Sequence, residues 1–130
     1  MNEKFPSSEK LKSKILIDRL FSEGKSIKNF PLKLIYLPLK EAGLKTCKTG
    51  VSVPKRNFKR AVDRNYFKRL MREAFRKNKY LVESNPDQKY AMMFVYTTAK
   101  KFDYHQINTC LIQILEKLKE KEASHEKINN

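Results

Sequence analysis

The 130-residue chain has no tryptophan, two cysteines, three glycines and five prolines. Cys47 and Cys110, with no C-x-x-C spacing, are too few for a disulfide framework, and both read as structural thiols. His105 and His125 stand apart from each other and from both thiols, so no side-chain metal site is expected. So few glycines exclude collagen-like repeats and Gly/Ser linkers. Long apolar runs are also missing: the longest, Tyr90 to Tyr96, has seven residues, against the ~18 that suggest a membrane span. At the N-terminus, Glu3, Lys4, Ser7, Ser8 and Glu9 occupy positions where a secretory signal needs apolar residues. These absences predict a soluble, cytoplasmic protein with no membrane partner, of a size to bury roughly two-thirds of its unfolded surface in one domain.

Negative charge is scarce as well. There are 29 Lys and Arg against 14 Asp and Glu, a formal net charge of +15. The excess is concentrated. Residues 51–79 hold eleven basic and two acidic residues, whereas residues 80–130 hold seven of each. Charge gathered this densely suits a polyphosphate partner, because each phosphate neutralised releases condensed counterions. The competing reading is a solvated basic face.

Periodicity predicts the order α-β-β-α-β-α, an α+β two-layer sandwich. Ser13 is placed to cap a first helix carrying Ile15, Leu16, Leu20 and Phe21, which Gly24 ends through the left-handed angles open to glycine. A strand from Leu32 to Leu37 sets Leu32, Leu34 and Tyr36 against Lys33, Ile35 and Leu37; a loop from Pro38 to Lys48 follows, pivoting at Gly43. In the next strand Cys47, Thr49, Val51 and Val53 point one way, Lys48, Gly50 and Ser52 the other, and Pro54 ends it. Phe58 to Lys79 reads as a helix with Phe67, Leu70, Met71 and Ala74 on its core stripe. Glu83 to Gln88 reads as a loop, and Tyr90 to Tyr96, apolar on both faces, as a central strand. Asp103 and Gln106 form a capping-box pair opening a helix whose apolar face is Ile107, Cys110, Leu111, Ile114, Leu115 and Leu118. The domain is expected over residues 1–122, with a flexible tail at 123–130.

The informative segment is residues 50–76, GVSVPKRNFKRAVDRNYFKRLMREAFR. Arg60, Arg64, Lys68, Arg72 and Arg76 recur every four residues, a row that creeps slowly round the helix at ~100° per residue. Like charges four apart cost a helix roughly a few tenths of a kcal/mol per pair, so the row is unfavourable unless an anion meets it. Arginine offers phosphate a planar fork and lysine a point charge. Gly50 and Ser52 leave one strand face with little bulk, where another backbone can approach.

These residues resemble the signature of the bacterial ribonuclease P protein family. Gly50-Val51-Ser52-Val53-Pro54-Lys55 corresponds to its G-x-S-V-x-K strand end. Ala61-Val62-Asp63-Arg64-Asn65, Lys68-Arg69 and Arg72-Glu73-Ala74-Phe75-Arg76 correspond to its arginine-rich helix, and Leu20-Phe21-x-x-Gly24 to the end of its first helix. Two departures stand out. Tyr66 replaces the second arginine of the usual Arg-Asn-Arg core, and Ile17 stands where members often carry an aromatic.

The resemblance implies a split β-α-β sandwich with a left-handed crossover, and a protein subunit of the ribonucleoprotein endoribonuclease that removes the 5′ leader of precursor tRNA. Catalysis there belongs to the RNA and to Mg²⁺ held mainly by it. The implied partners are ribonuclease P RNA and precursor tRNA, with no further protein required. By match, Arg64, Asn65, Lys68, Arg69 and Arg72 face RNA, with Lys55, Arg56, Lys59, Arg60 and Arg76 beside them. Phe21 matches a leader-contacting aromatic. A strand aromatic is also implied; Tyr36 is the nearest candidate, to within one position of register, and core packing is the alternative for both rings. Independently, the chain has no Gly-x-Ser-x-Gly, Walker or His-Glu-x-x-His motif, and Asp63 and Glu73 read as ion-pair partners of the basic row. A ribosomal-type RNA clamp and a metal-dependent protein nuclease are the competing functions.

Overall fold

The computed structural model describes residues 14–39, 47–83 and 89–129; Ser13, Gly43 and most of the Glu83–Gln88 segment lie outside them. Helix α1 (Lys14–Glu23) leads into strands β1 (Lys25–Asn29) and β2 (Leu32–Leu39). Strand β3 (Lys48–Ser52) is joined to β4 (Lys89–Tyr96) through α2 (Ala61–Asn78) and the single turn α3 (Tyr80–Glu83). Helix α4 (Tyr104–Asn129) closes the order. The strands form one sheet ordered β1-β2-β4-β3, with β4 parallel to β3 and antiparallel to β2. Thus β3-α2-β4 is the β-α-β unit, and β4 is the buried central strand that its two apolar faces predict.

Strand alternation assigns the two sides of the sheet. Ile27, Leu32, Leu34, Tyr36, Thr49, Val51, Met92, Phe94 and Tyr96 point toward α2 and α4 and build the main core with Phe67, Met71, Phe75, Ile107, Leu111 and Ile114. Ile35, Ala91 and Met93 point the other way, and Leu20 and Leu16 of α1 pack onto them as a second, smaller core. Gly50 and Ser52, opposite Met93 and Val95, share this reverse face and stay half-buried.

Three elements depart from the sequence expectation. Strand β1 was not anticipated: in Lys25–Asn29 only Ile27 is buried, and pairing with β2, not amphipathic pattern, makes it a strand. Strand β2 runs through Pro38, which pairs with Tyr90. The β1 ladder ends at Tyr36, so β2 has no β1 partner at Pro38 to miss its absent amide hydrogen. The segment from residue 123, expected as a flexible tail, continues α4 as helix to Asn129.

The capping box is present as expected: Asp103 Oδ1 accepts from the Gln106 amide at 2.8 Å, and Gln106 Oε1 from the Asp103 amide at 3.1 Å. Gly24 does end α1, but not through a left-handed angle. Its amide bonds the Leu20 carbonyl at 2.9 Å, and a Cβ there would lie 2.3 Å from that same oxygen, 3.0 Å from Ile35 and 3.1 Å from the Tyr36 carbonyl. Cys110 is buried, with Sγ donating to the Asn29 carbonyl at 2.9 Å, and burial pushes its thiol pKa up.

Gly24→Ala is therefore expected to cost about 1–3 kcal/mol, the range for overpacking, read as a lower urea midpoint. Because the native state holds the Cys110 proton more tightly than the unfolded chain, the thiol's contribution is intact below the ordinary thiol pKa of about 8.5 and is lost as pH rises toward the elevated value. Cys110→Ala should flatten that alkaline decline in the midpoint–pH curve.

Candidate nucleic-acid interface

After β3 the chain turns at Pro54, whose carbonyl accepts from the amides of Asn57 (3.0 Å) and Phe58 (3.4 Å). The turn throws Lys55 and Arg56 into solvent and buries Phe58. That ring stacks on Phe67 of α2, centroids 4.8 Å apart, and both lean on Tyr96 of β4 at 5.7 and 4.9 Å. Asn57 donates its side-chain amide to the Tyr96 carbonyl at 3.3 Å. The basic loop and the first half of α2 are thus fixed to the strand end by one aromatic cluster.

Helix α2 buries Phe67, Leu70, Met71, Ala74, Phe75 and Asn78. This is the expected stripe, extended by Phe75 and by Asn78, which donates to the Ala74 carbonyl and to Asn108 Oδ1, each at 2.8 Å. The other faces carry the charge. Arg60, Asn65, Arg69 and Arg72 are exposed, as are Lys55, Arg56 and Lys59 before the helix; Arg64, Lys68 and Arg76 are half-buried. All ten residues singled out from the sequence as RNA-facing lie on this one loop and helix. Asp63 pairs with Arg60 at 3.7 Å and Glu73 with Lys77 at 3.4 Å, so both acids sit in ion pairs as expected. Lys77 also lies 5.2 Å from the Tyr104 ring centroid, and the charge of the ionised Tyr104 hydroxyl, followed by the hydrogen bond to Glu73, raises the Lys77 pKa.

Arg64 has a role the sequence did not reveal. Its Nη1 donates to the carbonyls of Phe58 and Lys59, both at 2.8 Å, bracing the loop at a helix start whose N-cap residue, Arg60, forms no side-chain cap bond. Tyr66, seen in sequence as a missing charge, is 46% exposed with the Arg69 guanidinium 5.6 Å from its ring centroid. An exposed ring with a cation beside it is a stacking surface.

The reverse face of the sheet is different in kind. Phe21 of α1, the helix packed on that face, is 57% exposed, and Gly50, Ser52 and Val95 on the same face are half-buried. Tyr36 does not join it, which corrects the sequence assignment. The ring is 1% exposed, lies in the main core edge-to-face with Tyr90 at 5.9 Å, and burial raises its pKa. The β2 residues one register step away, Ile35 and Leu37, are the ones facing α1, and neither is aromatic. Phe21 is the one aromatic ring on α1 or this sheet face among the described residues.

The architecture is therefore that of an α/β sandwich presenting a cation-studded helix on one side and packing α1, with its exposed Phe21, on the other. Comparison with known proteins gives it a family. A profile described as Ribonuclease P matches residues 5–119, and the chain belongs to that family. The ribonuclease P protein component of Porphyromonas gingivalis is 43% identical over 75 residues, 58% of this chain and 55% of that relative. In that match the chain spans about half the relative's length. The ribonuclease P protein component of Caldanaerobacter subterraneus is 34% identical over 109 residues, 83% of this chain and 87% of that relative. The Staphylococcus aureus RNase P protein structure shares the fold with a TM-score of 0.68 at 23% identity, covering 85% of this chain and 95% of that one. The Thermotoga maritima RNase P protein does so with a TM-score of 0.62 at 23% identity, covering 84% and 96%.

Arg64→Ala is expected to lower stability by about 1–2 kcal/mol, since two charge-assisted bonds to backbone are lost, whereas Arg69→Ala shifts the urea midpoint little. Equal midpoints for the two variants would refute the bracing role.

Proposed function

We propose that this chain is the protein subunit of ribonuclease P, binding the catalytic RNA through α2 and its preceding loop and the 5′ leader of precursor tRNA across the reverse sheet face. Membership of the family supports this reading, and the observation that carries it is the gathering of ten RNA-suited side chains between Lys55 and Arg76 on one exposed loop and helix. Exposed arginines there bind phosphate through their forks and release counterions as they do so. The apolar face of the same helix is packed into the core, so these cations are presented on a rigid element.

On the reverse face Phe21 offers a ring to a base, and Gly50 and Ser52 let a single strand lie close to β3. Stacking contributes about 1–3 kcal/mol per base and tolerates any base, which suits leaders of varied sequence. Asp63 and Glu73 are held in ion pairs among cations and form no acid–base dyad. Among the described residues no three His, Cys, Asp or Glu side chains gather where an ion could be held. The Mg²⁺ that assists phosphodiester hydrolysis belongs, in this reading, mainly to the RNA, as the family resemblance implies. The chain's own part is to bind and orient, in the cytoplasm. Among the described residues no helix is long and apolar enough to cross a membrane.

Mixing the full chain with precursor tRNA and ribonuclease P RNA is expected to raise affinity and cleavage over the RNA alone, with no cleavage by protein alone. Failure to stimulate would sink the assignment, and cleavage by the protein would favour a nuclease. Arg69→Ala should reduce the salt slope of binding to the catalytic RNA by about one. Phe21→Ala should weaken precursor binding roughly tenfold, as one lost stack predicts, while leaving mature tRNA affinity unchanged.

A further inference from the structure

The turn joining β1 to β2 is fastened firmly, yet its most apolar side chain is left outside. The Asn29 amide donates to the Cys110 carbonyl at 3.3 Å and to Gln113 Oε1 at 2.9 Å, and Cys110 Sγ bonds back to the Asn29 carbonyl at 2.9 Å. The Pro31 carbonyl accepts from both the amide and the hydroxyl of Thr97, each at 2.9 Å. A turn held this way has a settled shape, and in that shape Phe30 is 62% exposed, meeting Phe102 edge-to-face at 5.6 Å. Between these rings and the first turns of α4 lies an open cavity of about 390 Å³ lined also by Gln106, Thr109 and Gln113, within the size range of small-ligand sites. The amide oxygens of Gln106 and Gln113 accept from the Asp103 amide and Asn29, which leaves their NH₂ groups as donors for a ligand.

The surroundings choose the ligand. Thr97, which anchors the Phe30 turn, directly follows Tyr96, whose carbonyl anchors Asn57 in the Lys55–Arg60 loop. The aromatic turn and the basic loop are therefore secured to consecutive residues at the end of β4. Lys100 and Lys101 stand exposed in the loop that continues from there, its shape set by the Tyr96 hydroxyl bonds to the Lys100 carbonyl (2.6 Å) and the Phe102 amide (3.0 Å). The carboxylate in this loop, Asp103, is engaged with the Gln106 amide. An exposed ring, amide donors lining the same cavity and cations in the neighbouring loops match a base in an unpaired stretch of polynucleotide: a flat π-face, an acceptor edge and flanking phosphates.

We propose that Phe30 and this cavity receive an unpaired base of the catalytic RNA, extending the α2 interface around the strand ends. The proposal rests on the function assigned above. The site is distinct from the reverse sheet face that α1 covers, and it takes the RNA assigned to α2 because the Phe30 turn and the basic loop are secured to consecutive residues, Thr97 and Tyr96.

The chain has no tryptophan, so Phe30→Trp supplies a single fluorescent reporter at the site. Ribonuclease P RNA added to the full chain is expected to quench its emission. Phe30→Ala should bind that RNA about tenfold more weakly with an unchanged salt slope, since a stack and not a phosphate contact is removed. Phe30→Tyr should retain full affinity. Unchanged emission on binding, or full affinity in Phe30→Ala, overturns the proposal. So does quenching by precursor tRNA but not by the catalytic RNA, or an emission change that follows protein concentration without RNA, which would point to a second copy of the chain. If Phe30→Ala fails to fold, the Trp and Tyr variants still decide. Should the unmodified chain fail to bind the catalytic RNA, the function assignment falls; should it bind while the Phe30 variants are silent, this site alone falls.

Discussion

The stacking of Phe58, Phe67 and Tyr96 is the contact on which the charged half of the molecule depends. A helix with cations every fourth residue repels itself, and its first turn begins at Arg60 without a side-chain cap bond. Beside the two Arg64 bonds to the loop carbonyls, what holds it in place is apolar. Phe67 and Phe58 stack at 4.8 Å and both meet Tyr96, each such pair adding about 0.5–1.5 kcal/mol beyond the area it buries. Tyr96 then carries the arrangement outward: its carbonyl holds Asn57, its hydroxyl shapes the Lys100–Phe102 loop, and the next residue pins the β1–β2 turn. One buried cluster thereby sets the relative positions of the basic loop, the basic helix and the Phe30 turn.

Much of this was legible in the sequence wherever a pattern had a polar reference. The core stripe of α2, the alternation of Cys47 to Val53 and the capping box at Asp103 all mix apolar and polar residues in a period that identifies the buried side. Tyr36 shows where that fails. Its alternation with Ile35 is plain in the sequence, but β2 lies between two apolar cores, one under α4 and one under α1, so parity alone does not say which side is which. Strand β1 failed for the opposite reason: with Ile27 as its one buried residue, it has almost no pattern to read, and its partner supplies its order. The second job of Arg64 was hidden because a basic residue in a basic row carries no mark of which carbonyl it reaches.

Tyr66 changes the chemistry of the α2 surface more than its loss of charge suggests. The ring stays exposed beside Arg69, so a cation–aromatic pair stands where the family resemblance implies a second arginine. If α2 binds RNA as proposed, binding there weakens less with added salt than two arginines would allow, because stacking does not depend on counterion release.

The position of α2 and α1 on opposite faces of the sheet has an electrostatic consequence. A helix with its side chains is about 10–12 Å across, and the sheet adds to that, whereas charges in physiological salt are screened over about 8 Å. Two polyanions gripped on the two faces would scarcely repel one another. Where each face holds a nucleic acid, as proposed, their phosphates lie more than a screening length apart, so each binds its own face with little regard to the other's charge.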